Sequence, residues 1–164
     1  MIRRTWLFQL LALVLAARCG TALDPTAAPA STAVIEEDIE YTAETAILES
    51  FPVQLHTTVT MRNRSRNVAD VQLESGCPVL LRVFPTEART ATIWDQGLIL
   101  ACAMQIQSLR LVSDETAQRA TRTDAREILG DSLPNGHYFL SAYVQVVDEP
   151  VLVPAGTADL AIPR

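Results

Sequence analysis

The stretch Leu133-Pro134-Asn135-Gly136-His137-Tyr138 and the alternating run from Tyr138 to Val146 constrain this chain more than any other segment. Pro134 presets the backbone for a turn, and Gly136 offers a position where φ > 0 is free. The β-branched and aromatic residues beyond them suit a pleated, half-buried surface. A tight turn feeding a central strand of a sandwich is the expectation.

The same two-residue period recurs upstream. Leu55, Thr57, Val59 and Met61 alternate with Gln54, His56, Thr58, Thr60 and Arg62, and the run stops at the turn-forming residues Asn63 to Asn67. Val68, Val71 and Leu73 mark another strand, closed by Ser75-Gly76. Val79 to Phe84 makes a third, stopped by Pro85, and Ala91-Thr92-Ile93-Trp94 a short fourth with Asp95-Gln96-Gly97 as its turn. Leu98 to Met104 is apolar and carries Cys102, so burial is expected there. Both helix and edge strand fit residues 34–50, and the β context that follows favours strand. Thr116 to Leu129 reads as a strand running into a short helical or irregular turn before Leu133, the helical reading taking Gly130 as its stop. Val151-Leu152-Val153 and Thr157 to Ile162 close the pattern. Turn signals every 8 to 12 residues or so are those of an all-β sandwich.

The N-terminus is read as spent on export. Arg3 and Arg4 form a positive region, Trp6 to Ala17 is an apolar run of twelve residues, and Gly20-Thr21-Ala22 supplies the small residues of a cleavage site. Twelve apolar residues fall short of the roughly 20 that cross a hydrocarbon core, so a signal peptide over 1–22 is favoured over a transmembrane span. Lipid anchoring at Cys19 is a minority reading, because Arg18 is not the small residue a lipoprotein box wants. A twin-arginine signal ranks below ordinary secretion. Residues 23–33 are small, polar or proline and read as a flexible leader, leaving 34–164 for one domain. The expected location is periplasmic or extracellular.

Cleavage removes Arg3, Arg4 and Arg18 and leaves 10 basic against 19 acidic residues, a formal charge of about −9. Such a balance argues against nucleic acid, which wants clustered cations. Cleavage also leaves Cys77 and Cys102, an even pair that reads as a disulfide in an exported chain. Two free thiols are the alternative. A metal site is weaker, with no C-x-x-C and only His56 and His137 to help. The acidic cluster at Glu36, Glu37, Asp38 and Glu40 reads as a solvated face and lacks calcium-loop spacing.

Between Val53 and Val147 the chain resembles the bacterial intracellular proteinase inhibitors often called BsuPI-like. The residues that carry this are Asn63, Val71 and Leu73 before Ser75-Gly76, Ile93-Trp94, and Gly136-x-Tyr138 with Ala142. The resemblance implies an immunoglobulin-like antiparallel β-sandwich. It departs where the family has a Pro-Gly turn and this chain has Ser113-Asp114-Glu115, and in its export signal and cysteine pair. The segment from Leu133 to Tyr138 also resembles a tyrosine corner, in which the Tyr138 phenol bonds to nearby backbone.

No nucleophile has an evident base. His56 is placed on an outward strand face, His137 in a turn, and no G-x-S-x-G surrounds a serine, so the expectation is a non-enzymatic chain without cofactor. Binding is the better class, since sandwich domains present loops at their ends. Pro85 to Thr90, with Glu87 and Arg89, is the candidate binding loop, Arg89 being the side chain that fits a trypsin-like pocket. A plain solvated loop is the commoner reading. Trp94, Tyr138, Gly136 and Pro134 are expected to be structural, Trp94 as core. Asn63-Arg64-Ser65 is a glycosylation sequon. A protease or another envelope protein is the expected partner class. Nothing in the sequence fixes the oligomeric state.

Overall fold

A computed structural model describes residues 32–162. The expected signal peptide and nearly all of the expected leader lie outside the described residues. Those residues form β1 (Val34–Glu36), β2 (Ile39–Leu48), β3 (Gln54–Asn63), β4 (Ala69–Ser75), β5 (Val79–Phe84), β6 (Trp94–Asp95), β7 (Met104–Leu111), β8 (Thr116–Asp124), α1 (Ala125–Leu129), β9 (Gly136–Val144) and β10 (Val151–Leu160). A single 3-10 turn, Gln96–Leu98, sits between β6 and β7.

The fold is an all-β sandwich with antiparallel pairing throughout. One sheet has the order β1-β2-β3-β8 and the other β10-β9-β5-β6. β2 and β3 pair over their full lengths, from Ile39 opposite Asn63 to Leu48 opposite Gln54. β4 and β7 form a two-stranded arm. β4 is joined to the second sheet through a bridge between Leu73 and Val146 and through the Val147 amide donating to the Gln72 carbonyl at 3.0 Å. β4 and β5 thus run in succession along one edge of the chain's 139–147 stretch, and residues 75–78 form the step between them.

The two-residue period does the sorting of side chains. On β3, Leu55, Thr57, Val59 and Met61 are buried while their neighbours Gln54, His56, Thr58 and Arg62 face outward. Facing them are Val79, Leu81 and Val83 of β5 and Leu140, Ala142 and Val144 of β9. Ala125, Ile128 and Leu129 of α1 extend the same core. Asp124 caps α1 by accepting from the Glu127 amide at 2.8 Å, and Gly130 ends it at φ 49°, a left-handed position that glycine adopts without strain.

The structure corrects three sequence expectations. The apolar stretch Leu98 to Met104 is not buried: Leu98 is 85% exposed and Met104 is 101% exposed. Apolar composition favours burial only where a facing surface is free, and here the inner faces of both sheets are already filled by one another. Second, the strand expected over Ala91 to Trp94 is confined to Trp94–Asp95, and its following turn is the 3-10 turn. Third, Gly136 is not the left-handed residue of its turn. The positive-φ glycines are Gly130 and Gly156, while Gly136 opens β9 opposite Leu160.

Candidate functional site

The step between β4 and β5 positions the most unusual surface of the molecule. Cys77 lies in this step and is joined to Cys102, with their Cα atoms 5.5 Å apart. Beside it the Gly76 amide donates to the Ala103 carbonyl at 2.8 Å. A Cβ on Gly76 would come within 3.1 Å of Ala103 Cβ and 3.3 Å of its backbone nitrogen and oxygen, so glycine permits this close approach of two backbones. The Ser75 hydroxyl accepts from the Cys77 amide at 3.0 Å and fixes the turn.

Those contacts hold the 98–104 segment by backbone and disulfide, and its apolar side chains are left facing water. Leu98, Ile99, Leu100 and Met104 are all exposed, and the strip continues along β7 to Ile106, which is 62% exposed. Strand β7 pairs only with β4 among the described residues, so its second edge carries unpaired backbone groups. It has no proline and only Arg110 as a charge. Exposed apolar side chains are disfavoured by water, and an open strand edge offers backbone groups with which another strand can pair.

The candidate loop from Pro85 to Thr90 has a different character. Glu87 is exposed, but Arg89 is only partly so and adopts φ 50°. Its Nη1 donates to the Glu87 carbonyl at 3.0 Å and its guanidinium lies 5.7 Å from the centroid of the Phe139 ring. The side chain is folded back on the domain and does not project from the loop tip.

The remaining residues singled out in the sequence are dispersed. Tyr138 donates its hydroxyl to the Pro134 carbonyl at 2.5 Å, closing the corner that leads into β9. Trp94 packs against the core from its edge, partly exposed, and its indole donates to the Glu127 carbonyl at 3.1 Å. His137 is exposed and lies in β9, not in the preceding turn, with Nδ1 2.8 Å from Asp159 of β10. His56 sits on the outer face of β3 opposite Ala46 and Arg122. Among the described residues no three His, Cys, Asp or Glu side chains converge as metal ligands.

Asn63 is fully buried, and its side chain is consumed internally. The amide donates to the carbonyls of Asn67 at 2.7 Å and Leu111 at 2.9 Å, and its oxygen accepts from the Ser65 amide at 2.9 Å. The sequon asparagine is therefore a turn lock, with no nitrogen free to carry a glycan. Neither a scan of protein-family models nor a search of curated proteins returns a match to this chain.

Proposed function

We propose that the chain is an exported, non-enzymatic binding domain, an immunoglobulin-like sandwich resembling a proteinase inhibitor, that acts through protein-protein contacts. The observation that carries this reading is the exposed apolar strip from Leu98 to Ile106, pinned at Cys102 and continuous with the open edge of β7. Export is supported by the joined cysteine pair, which persists in oxidising compartments. Among the described residues no helix is long and apolar enough to cross a membrane. The pairing of β3 with β2 and β8, and of β9 with β5 and β10, supports the immunoglobulin-like reading.

The alternative is a structural or envelope-interaction domain with no inhibitory activity. The inward fold of Arg89 favours this second reading over insertion of Arg89 into a protease pocket. Titration against a panel of trypsin-like proteases separates the two. Inhibition at micromolar protein that is lost in Arg89→Ala establishes the inhibitor reading, and absence of inhibition removes it in favour of the envelope domain.

A further inference from the structure

The strand that β7 does pair with fixes which of its backbone groups face outward. On β4 the Gln72 carbonyl accepts from the Val147 amide at 3.0 Å, and the Glu74 amide donates to the Gln145 carbonyl at 2.9 Å. Gln72 and Glu74 thus turn their backbone groups away from β7. Successive residues of a strand point theirs to opposite sides, so Val71 and Leu73 face β7, where their Cα partners are Leu109 and Gln107. Ser108 and Arg110 therefore direct their amides and carbonyls outward, and no second strand receives them among the described residues. The next outward amide, that of Val112, donates to Glu115 Oε2 at 2.8 Å, which ends the free edge there.

Charge decides what can approach this edge. The chain carries 19 acidic residues, so copies of it repel one another over most of their surface. From Gln96 to Ser113 it has no carboxylate. Arg110, the one charge in that span, stands opposite Asp70 of its own β4. Beside the outward backbone groups, Met104, Ile106 and Val112 expose apolar side chains and Ser108 a small polar one.

We propose that the edge of β7 pairs with β7 of a second copy of this chain, antiparallel about a two-fold axis at Ser108. A two-fold axis brings the same strand of both copies together, so the surface must complement itself. In this register Ser108 meets Ser108 of the second copy, Ile106 meets the methylenes of its Arg110, and Met104 lies by its Val112. Apolar side chains are covered, and no like charges face each other. The two Arg110 residues stand about 14 Å apart, four residues at about 3.4 Å each, beyond the Debye length of about 8–10 Å. The proposal rests on the reading of the apolar strip as a contact surface and names the partner of that surface.

Sedimentation equilibrium of the purified chain in low salt, from on the order of 1 μM to 1 mM, tests it. The expected result is a reversible dimer with Kd on the order of tens of micromolar, since edge pairing buries less than the roughly 800 Å² per partner of a standard interface. Ser108→Asp and Ser108→Lys each set like charges about 5 Å apart across the axis and should weaken dimerisation about tenfold. Ser108 is exposed, so the thermal midpoint should stay in place. An equimolar mixture of the two variants should recover association, which a damaged fold would not do. A monomer at every concentration, a dimer indifferent to both substitutions, or a mixture that stays monomeric would each overturn the proposal. Crosslinking from Met104 in intact cells separates this proposal from the reading beneath it. A product of twice the chain's mass supports the second copy, a product with a different protein overturns it and leaves the contact surface standing, and no product removes both.

Discussion

Gln96 completes the hydrogen bonding of Leu81: its side-chain oxygen accepts from the Leu81 amide at 2.9 Å, one residue beyond the last β6 pair, Arg82 with Asp95. The same oxygen accepts from the Thr121 hydroxyl at 2.9 Å, and the Gln96 nitrogen donates to the Arg122 carbonyl at 2.7 Å. One buried side chain therefore ties an edge of the second sheet to the edge strand β8 of the first. Gln96→Leu keeps the volume but strands a buried amide and a carbonyl, at a cost of about 2–3 kcal/mol. Urea denaturation measures this, and a midpoint equal to wild type would show that the bridge contributes nothing.

Tyr138 and Pro134 hold the corner before β9. Tyr138→Phe removes the single hydroxyl-to-carbonyl bond and leaves the ring in the core, so stability should drop by about 1 kcal/mol. The check is the same denaturation experiment, in which an unchanged midpoint contradicts the role.

The Tyr41 phenol supplies a pH dependence. Its pKa is pushed up to about 12 from an ordinary 10.0, so the folded state holds the proton where the unfolded chain releases it. The contribution is full below pH 10.0 and is lost as pH rises through about 12. Tyr41→Phe should lose less stability than wild type across that window. Parallel alkaline stability curves for the two proteins would refute the assignment.

The joined cysteines close a loop of 25 residues, which corresponds to about 3 kcal/mol in the chain-entropy treatment. Cys77→Ser with Cys102→Ser should lower stability by that order. It should also speed proteolysis within 97–104, because the disulfide is what holds this exposed segment to the β4–β5 step. Cleavage at the wild-type rate would mean that the Gly76–Ala103 backbone contact suffices alone.

Much of this architecture is legible in local sequence. The alternation on β3 and in the run from Tyr138 sets which face is buried, since a half-buried strand repeats every two residues. The Gly130 stop announces α1, and Leu133 to Tyr138 announces the corner. What local pattern does not reveal depends on distant partners. Leu98 to Met104 has the composition of core, and only the filled inner faces of both sheets decide that it stays outside. Gln96 looks like part of an ordinary turn, and its value lies in Leu81 and Arg122, far away in the chain. Arg89 reads as a solvent-facing side chain until Phe139 is placed beside it.

The exposed strip is the centre of the functional reading, and site-specific photocrosslinking in intact cells tests it most directly. A photoreactive residue is placed at Leu98, Met104 or Ile106, and at Gln118 on the exposed surface of β8 as a control. The expected result is one discrete crosslinked product shared by the three strip positions, absent at Gln118, and lost from Leu98 when Met104→Glu and Ile106→Glu are introduced. Crosslinking equal at Gln118 and the strip, or none at the strip, would contradict the claim that this surface is where the domain meets its partner.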